Sequence, residues 1–266
     1  MKGVVLVSGA SSGIGRAISV ALVRRGYTVF GAARSRKDNW PEGVSFIQMD
    51  VTDESSVRGA LESIRRSHGS LYALINSAGI GLLGAVEDSS SDEIRVLFDT
   101  NLVGLHCVCR HSLNLLRAGQ GSYIINITSM AAQMGLPFRG IYCASKFAVE
   151  GYSEALSQEV ANDGIRVVIL EPGDVRTAIN SHRLVVANVS ESNRELHDSI
   201  QKQVNSEVDE GLDPSEIARV VVRILETNKP RLRYRVSRPR ATLAYYLMRV
   251  LPGRWFEAII QRHYKI

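Results

Sequence analysis

The sequence has few cysteines, no long apolar run and no stretch of low complexity. Its 3 cysteines in 266 residues are too few for a disulfide framework and lack zinc-ligand spacing, so we expect reduced, buried thiols and no metal site. No apolar run approaches the roughly 18 residues that a spanning helix needs, and neither a repeat nor a linker divides the chain. The segment Met1–Ser8 is typical of a first strand rather than a signal peptide. We therefore expect one cytoplasmic domain, residues 1–266.

Strand-like and helix-like segments alternate along the chain. The predicted strands are Val4–Val7, Thr28–Ala32, Ser45–Gln48, Leu71–Ile75, Tyr123–Ile127, Val167–Leu170 and Leu232–Val236. The alternation predicts an α/β fold, a Rossmann-like doubly wound parallel sheet of about seven strands with helices on both faces. Such sheets bind ligands beyond the carboxyl ends of their strands, so the chemistry is expected just after strands.

A glycine-rich turn follows the first strand. After Val4–Val7 the sequence reads Ser8–Gly15 and continues into a helical apolar pattern. Glycines permit a tight turn and a close approach of backbone to a pyrophosphate, and the helix start offers unpaired N–H groups. The same residues also suit a sharp turn capped by serine with no ligand, so the turn alone leaves both interpretations open. The candidate phosphate contacts are Gly9, Ser11, Ser12, Gly13, Ile14 and Gly15.

Tyr142 and Lys146 are four residues apart in a helical segment. Side chains at this spacing share one face of a helix, so the ammonium of Lys146 favours the tyrosinate form of Tyr142. Moving a phenol from its usual pKa of about 10 to neutral pH takes about 4 kcal/mol. One lysine rarely supplies this, so we expect a positively charged nicotinamide ring to supply the remainder. The pair predicts acid–base chemistry beside a dinucleotide.

Candidate site residues also follow the later strands. Asn76, Ser129 and Pro172 come just after predicted strands, and Tyr142 opens the helix after the loop that follows Ser129. Asn101 lies in a helical segment between two strands. Taken singly, Asn101 is also explained as a buried helix amide and Ser129 as a strand-end turn or cap.

The end of the second predicted strand indicates the choice of cofactor. Gly31–Ala33 contains no acidic residue that would bind the hydroxyls of an adenine ribose. Arg34 follows at once, with Arg36 and Lys37 close behind, and Asp38 lies too far along to substitute. The basic residues favour the additional phosphate of NADP(H), the alternative being a solvated basic loop.

In this order the motifs resemble the short-chain dehydrogenase/reductase family, single-domain type, over nearly the whole chain. The segments that carry the resemblance are Ser8–Gly15, Asp50–Val51, Asn76–Gly79, Asp99–Gly104, Ser129, Tyr142–Lys146 and Glu171–Thr177. The sequence departs from the family's pattern at Ser8, where threonine is commoner, and at Ser77, where asparagine is usual.

The resemblance implies a catalytic set of four residues. Tyr142 would exchange a proton with the substrate oxygen, and Ser129 would hold that oxygen by a hydrogen bond. Lys146 would bind the nicotinamide ribose, and Asn101 would position a water that leads protons to solvent. The cofactor contacts that it implies beyond the glycine turn and Arg34 are Asp50, Val51, Asn76, Ala78, Gly79, Tyr142, Lys146, Pro172, Gly173, Val175 and Thr177. Asp50, with Thr52, is also suited to cap the helix that begins near Asp53.

The substrate is less well defined by the sequence. Residues 178–212 are expected to form a substrate-covering region, in which Leu184–Ala187 faces a pocket and Glu191–Asp209 forms an exposed polar helix. Met134–Phe138 adds apolar wall. Met134–Phe138 leading to Tyr142–Phe147, together with the Arg- and Tyr-rich ending, resembles the hydroxysteroid and retinol dehydrogenase branch. We expect a steroid-like or other lipophilic ketone or secondary alcohol, with polyketide, fatty acyl and xenobiotic ketones as alternatives.

Positive charge is concentrated at the carboxyl terminus. The chain has a net charge of +5, and the residues after position 228 contain ten lysines and arginines but only one acid, Glu257. Residues 237–266 predict a basic amphipathic segment that serves as a lid, a subunit contact or a membrane-surface element, the first two being favoured. Nucleic acid is disfavoured because the charges lie beside bulky aliphatic side chains.

Two further expectations concern the whole protein. The family resemblance implies a homodimer or homotetramer that uses the helices around Asp92–Arg117 and Tyr142–Ala161. The alternative to an enzyme is a catalytically weak cofactor-binding regulatory protein, or a membrane-surface protein, of the same fold.

Overall fold

The computed structural model describes residues 2–178, 180 and 183–266. Met1 of the predicted first strand, and Ile179, Ser181 and His182 of the predicted substrate-covering region, lie outside the described residues. The strands are β1 (Val4–Ser8), β2 (Thr28–Ala33), β3 (Ser45–Gln48), β4 (Ala73–Asn76), β5 (Leu82–Leu83), β6 (Tyr123–Ile127), β7 (Arg166–Pro172), β8 (Leu184–Val185) and β9 (Arg233–Val236). The α-helices are α1 (Gly13–Arg24), α2 (Glu54–His68), α3 (Ser91–Phe98), α4 (Gly104–Ala118), α5 (Gly140–Glu159), α6 (Arg194–Asp209), α7 (Pro214–Leu225), α8 (Pro239–Val250) and α9 (Gly253–Tyr264).

Seven of the described strands form one parallel sheet in the order β3-β2-β1-β4-β6-β7-β9. The order reverses between β1 and β4, as in a doubly wound Rossmann-like fold, and the prediction of fold class is confirmed. Asn76 and Pro172, predicted to follow their strands, are instead the last residues of β4 and β7. Each is paired in register, Asn76 with Asn126 and Pro172 with Val236.

Apolar side chains cover both faces of the sheet, which explains why the strands read as continuous hydrophobic runs. On one face, Ile18 and Leu22 of α1 pack with Val221 of α7 against the strands. On the other face, helices α2, α4 and α5 pack through residues such as Ile64 and Val108. The two layers fix the carboxyl ends of the strands at one edge of the molecule.

Helix starts are set by acidic caps as much as by the apolar pattern. Asp53 is the N-cap of α2, and its carboxylate accepts hydrogen bonds from the backbone N–H groups of Ser55 and Ser56. The suggested cap at Asp50 is therefore wrong. Helix α7 begins as predicted at Asp213 and Pro214, where Asp213 and Glu216 form a capping box.

Residues 183–209, which follow β7, contain more regular secondary structure than their polar composition indicates. Strand β8 pairs in parallel with β5 as a separate two-stranded sheet. The helix predicted as exposed, α6, buries one face, which carries His197, Ile200 and Val204. This face packs against Phe138 and the carboxyl-terminal helix α9, so the exposed-helix interpretation is wrong for that face.

Helices α8 and α9 follow the last strand and are joined by a short turn at Leu251 and Pro252. Tyr245 of α8, and Phe256 and Tyr264 of α9, are buried. No helix in the described part of the chain combines the length and the apolar character that crossing a bilayer requires.

Candidate active site

The glycine turn between β1 and α1 has a backbone that other residues would strain. Gly9 and Gly13 have φ values of +67° and +52°, which glycine adopts without cost. A Cβ at Gly9 would lie 2.9 Å from the backbone of Ala78, and one at Gly15 would lie 2.4 Å from the carbonyl oxygen of Gly9. Helix, strand and turn are thus packed too closely for side chains.

Neighbouring elements surround this turn. The hydroxyl of Ser8 accepts hydrogen bonds from the N–H groups of Ser77 and Ala78, at 3.0 and 3.1 Å. A Cβ at Gly13 would lie 3.1 Å from the methyl group of Thr177, so the loop after β7 reaches the first turn of α1. Ser12 is the N-cap of α1 but makes no side-chain cap hydrogen bond. Its hydroxyl and the N–H groups of this helix end fit the phosphates of a dinucleotide.

Residues 34–37 at the end of β2 are exposed. The N–H of Ala10 donates to the carbonyl oxygen of Ala32 at 3.1 Å, so the glycine turn lies beside this strand end. Arg34, Arg36 and Lys37 therefore sit beside the turn without covering it. Their charges fit a phosphate on the ribose next to the turn.

Several predicted cofactor residues use their side chains inside the protein. The amide of Asn76 donates to Asn126 Oδ1 at 2.8 Å and to Cys109 Sγ at 3.1 Å. The carboxylate of Asp50 accepts from the backbone N–H and the hydroxyl of Thr52. The Nδ2 group of Asn76 is therefore used inside the protein, whereas its buried Oδ1 has no hydrogen-bond partner among the described residues.

The other predicted residues that follow β3 and β7 lie at the same edge. Val51 packs against the start of α4, because a Cβ at Gly104 would lie 2.9 Å from its methyl group. The N–H of Gly173 donates to Val236, which ties the loop after β7 to β9. Val175 is buried and forms a parallel bridge with Leu212.

Tyr142 lies in the first turn of α5, half-buried, with its phenol close to the side chain of Ser129. Burial raises the pKa of Tyr142, and the hydroxyl of Ser129 and the charges of Arg139 and Arg183 lower it in part. This differs from the sequence expectation, in which Lys146 was the cation that lowered it. The backbone of Ser129 is extended, and its hydroxyl also accepts from the N–H of Ala131.

Lys146 is buried on the same helix, and its ammonium donates to the carbonyl oxygen of Ile127 at 3.3 Å. Burial lowers its pKa to about 8, against the opposing charge of Glu150. A Cβ at Gly79 would lie 3.5 Å from this ammonium and 3.2 Å from Asn101 Oδ1. The backbone at Gly79 therefore packs closely against two of the predicted catalytic side chains.

Asn101 occupies a turn of π-helix, Asp99–Val103, between α3 and α4. Its Oδ1 accepts from the N–H of Ile80 at 2.9 Å, and its Nδ2 donates to the carbonyl oxygen of Ile80 and to Ser145 Oγ. Single π-turns often mark functional sites. The structure thereby brings Asn101, Ser129, Tyr142 and Lys146 into one cluster at the strand ends.

Arg139 was not recognised from the sequence. It immediately precedes α5, three residues before Tyr142, and its guanidinium donates to the phenol of Tyr264 from α9. The carboxylate of Glu207 on α6 lies 4.0 Å away. The i, i+3 spacing of Arg139 and Tyr142 was the available signal, whereas nothing local indicated Tyr264.

Arg183 is the second cation whose charge acts on Tyr142. Its guanidinium donates to Asn180 Oδ1 at 2.8 Å and to Asn205 Oδ1 at 3.2 Å. The stem of Arg183 lies against Gly81, after β4. A polar rim therefore borders the phenol on the side of α6.

An apolar wall lies on the other side of the phenol. Tyr142 packs with Leu82, Leu97, Leu184, Val186 and Ile141 in one hydrophobic cluster. Of the segment Leu184–Ala187, Leu184 and Val186 join this cluster whereas Val185 and Ala187 are exposed, and that the segment faces a pocket stays a prediction. Leu136 and Phe138, predicted as further wall, join the neighbouring cluster with α6 and α9.

Glu150 connects the lysine to a buried network of charges. It lies one turn after Lys146 on α5 and is 6% exposed. Its carboxylate accepts from the hydroxyl of Thr128 at 2.8 Å and from Arg233 Nε at 3.1 Å. The fully buried Glu171 pairs with Arg235 at 2.6 Å. Among the described residues, no group of three or more His, Cys, Asp or Glu side chains is arranged to bind a metal ion.

The family model of the short chain dehydrogenases matches residues 3–184. The chain is a short-chain dehydrogenase. The model spans the glycine turn and the whole Asn101, Ser129, Tyr142, Lys146 cluster, so the chemistry that the arrangement serves is that of an oxidoreductase with a nicotinamide cofactor.

Three curated relatives of this short-chain dehydrogenase cover most of it. The 3-ketodihydrosphingosine reductase of Bacteroides thetaiotaomicron is 36% identical over 88% of this chain and 87% of its own. Human 17-beta-hydroxysteroid dehydrogenase type 1 is 32% identical over 87% of this chain and 76% of its own. The NADPH-dependent 3-dehydrocapnine reductase of Ornithobacterium rhinotracheale is 30% identical over 98% and 96%.

A solved structure supports the fold. The crystal structure of a short-chain dehydrogenase from Streptomyces avermitilis superposes with a TM-score of 0.80 and 32% identity, covering 94% of this chain and 93% of the other.

The crowding in the glycine turn gives a testable prediction. Gly15→Ala is expected to destabilise the protein by about 1–3 kcal/mol, because its Cβ must displace backbone, and to weaken NADPH binding at least about tenfold. Denaturant unfolding and NADPH fluorescence titration measure the two effects. Gly59→Ala on the outside of α2 is the matched control, since its Cβ meets nothing within 4 Å. Equal behaviour of the two variants would contradict the packing described for the turn.

Proposed function

We propose that this short-chain dehydrogenase is NADP(H)-dependent and interconverts a ketone and a secondary alcohol on a lipophilic substrate. The observation that carries the proposal is a phenol, Tyr142, that lies close to the hydroxyl of Ser129 and packs against an apolar wall. A bound reduced nicotinamide supplies the hydride. In the reduction, hydride adds to the carbonyl carbon and one proton to its oxygen.

The protein's own groups handle that proton. Ser129 donates a hydrogen bond to the substrate oxygen, and Tyr142 gives its phenolic proton to it as negative charge develops. The raised pKa of Tyr142 keeps the phenol protonated before reduction. Lys146 holds the cofactor ribose, and Asn101 orients a water that returns the proton to Tyr142.

The preference for NADP(H) rests on the basic residues after β2. Arg34, Arg36 and Lys37 are exposed beside the glycine turn, and Gly31–Ala33 contains no carboxylate that would repel a phosphate. The relative from Ornithobacterium rhinotracheale is an NADPH-dependent 3-dehydrocapnine reductase, which agrees with this choice. Arg34 is the residue that we expect to contact the phosphate.

A long-chain ketone is the substrate class that we favour over a steroid. Two relatives are named for the reduction of a 3-keto or 3-dehydro compound. One of them, the 3-ketodihydrosphingosine reductase, is more similar in sequence to this chain than the hydroxysteroid dehydrogenase is. The apolar wall beside Tyr142 suits the carbon chain, and the rim that includes Arg183 suits a polar end.

We also propose that the protein is a homodimer or homotetramer. Val96, Val103 and Phe147 lie on or beside α3, α4 and α5 and are at least 45% exposed. A second copy of the chain would cover them. Light scattering on the purified protein is expected to give a multiple of the 29.2 kDa chain.

A substrate panel tests the proposed activity. NADPH consumption is measured with 3-ketodihydrosphingosine, with a steroid ketone and with a short water-soluble ketone. We expect the highest kcat/KM for the long-chain ketone, with the alcohol identified by mass spectrometry. Turnover of none of the lipophilic ketones in either direction would contradict the proposal.

Glu150 gives a pH test of the role of Lys146. The negative charge of Glu150 raises the pKa of Lys146, which burial has lowered to about 8. Glu150→Gln removes that charge, so Lys146 should lose its proton at lower pH. The alkaline limb of the kcat/KM profile is expected to move to lower pH.

Glu154→Gln is the matched control for this test. Glu154 contacts the same Arg233 but is about half exposed, and it is not among the charges that act on Lys146. An equal displacement of the alkaline limb in both variants, or none in Glu150→Gln, would show that Lys146 is not the group that titrates.

A further inference from the structure

The outer faces of α8 and α9 combine apolar and basic side chains in an unusual density. Over half of the large hydrophobic residues that are exposed in the described part of the chain lie on this pair of helices or just after it. They are Leu243, Tyr246, Val250, Trp255, Ile259 and Ile266. Val250 is 75% exposed and Trp255 is 67% exposed, the ring and the methyl groups being held in solvent on either side of the short turn.

The pattern on each helix is regular. In α8, Leu243, Tyr246 and Val250 follow at i, i+3 and i+7, which places them on one stripe, while Tyr245 is buried. In α9, Trp255 and Ile259 are four residues apart. Each helix therefore has two apolar faces, one packed against the rest of the protein and one exposed to solvent.

Positive charge surrounds the exposed apolar face. Residues 237–266 contain one acid, Glu257, and six exposed bases, Arg238, Arg240, Arg249, Arg254, Arg262 and Lys265. Arg254 pairs with Glu257, whereas in the described part of the chain no ion pair involves the other five. Arg249 stacks on the buried Tyr245 and donates to Gln133, so the charges that remain available to an anionic surface are those of Arg238, Arg240, Arg262 and Lys265.

We propose that the outer faces of α8 and α9 dock the protein on an anionic phospholipid surface. Lipid phosphates would pair with the arginines, and the Trp255 and Tyr246 rings would enter the headgroup region, where amphipathic rings are stabilised. A second copy of the chain is the weaker occupant, because a two-fold contact through this face would bring two sets of like charges together. The proposal is independent of the identity of the substrate.

The inner faces connect this surface to the substrate side of the site. Tyr264 of α9 receives a hydrogen bond from Arg139, three residues before Tyr142. Ile260 and Tyr264 pack with Phe138 and with Ile200 of α6. A bilayer that contacts the outer face would lie next to the elements that border the apolar wall, which suits a substrate taken from the membrane.

Vesicle sedimentation tests the proposal on the full-length protein. Vesicles of phosphatidylcholine alone are compared with vesicles that also contain phosphatidylglycerol. We expect the protein to bind the anionic vesicles only, and salt to weaken the binding. The double variant Arg238→Gln with Arg240→Gln is expected to bind about thirtyfold more weakly, because each substitution removes one positive charge near the leaflet. Trp255→Ser with Val250→Ser is expected to weaken binding at least about tenfold.

Arg24→Gln with Arg25→Gln is the matched control. It removes the same net charge from two exposed arginines at the end of α1, outside α8 and α9. This variant should bind the anionic vesicles like the wild type. Circular dichroism and light scattering accompany each variant. Equal weakening by both arginine pairs, no binding by the wild type, or a change of subunit number in Trp255→Ser with Val250→Ser without a loss of vesicle binding would overturn the proposal.

Discussion

Replacing Tyr142 by phenylalanine is expected to lower kcat for ketone reduction by about 10³-fold, within the range that a positioned general acid contributes. The phenol lies close to the hydroxyl of Ser129 and beside the apolar wall, and phenylalanine keeps the ring but has no proton to give. NADPH binding should change little, because the glycine turn and Arg34 are untouched. Stopped-flow turnover and NADPH fluorescence titration measure the two quantities.

Tyr152→Phe is the control for that experiment. Tyr152 lies on the same helix, and its hydroxyl contacts His106 at 3.3 Å, away from the cluster. Its loss should leave kcat within about threefold, as for a substitution outside the site. A Tyr142→Phe enzyme with wild-type turnover would remove Tyr142 from its assigned role. A wild type that binds NADPH but turns over no ketone or alcohol would favour the regulatory alternative.

Arg34→Asp is expected to reverse the choice of cofactor. Losing a charge-assisted hydrogen bond to a phosphate, and gaining repulsion from it, should lower kcat/KM for NADPH by about 10²-fold. The new carboxylate can bind ribose hydroxyls, so kcat/KM for NADH should rise. Steady-state kinetics with both cofactors give the ratio directly.

The control and the contrary outcome are specific to position 34. Arg66→Asp makes the same change of charge on α2, at a side chain that is 71% exposed and whose ion-pair partner among the described residues is Glu62. It should leave the cofactor ratio unchanged. Comparable efficiency of the wild type with NADH, or an unchanged ratio in Arg34→Asp, would contradict NADP(H) specificity.

The parallel strands of the sheet follow from local patterns. Runs such as Val4–Ser8 and Tyr123–Ile127 are buried on both faces, so their continuous apolar character predicts parallel strands. The glycine turn and the Tyr142–Lys146 pair were also predictable from the sequence, because each depends on residues within one turn or one helix. Their roles in binding and catalysis stay predictions.

The polar rim of the site was not predictable in the same way. Tyr264 reaches Arg139 across 125 residues of sequence, and Asn205 reaches Arg183 from another helix. Neither contact has a local signature. Strands β5 and β8 have two residues each, which is too short for any periodicity to show.

The pKa of Tyr142 shows the limit of reasoning from spacing alone. Lys146 is on the same helix at i+4, but burial dominates and raises the pKa of the phenol. Burial likewise lowers the pKa of Lys146 to about 8. The spacing predicted which groups share a face, whereas the direction of each pKa shift depends on how deeply the fold buries them.

A crystal structure of the ternary complex with NADP⁺ and an unreactive long-chain ketone analogue tests the central claim most directly. The account predicts the phenolic oxygen of Tyr142 and the hydroxyl of Ser129 each within about 2.6–3.2 Å of the ketone oxygen, with the carbon chain along Leu184 and Val186. A ketone oxygen bound by Arg139 or Arg183 instead, with the phenol turned away from it, would contradict the assignment.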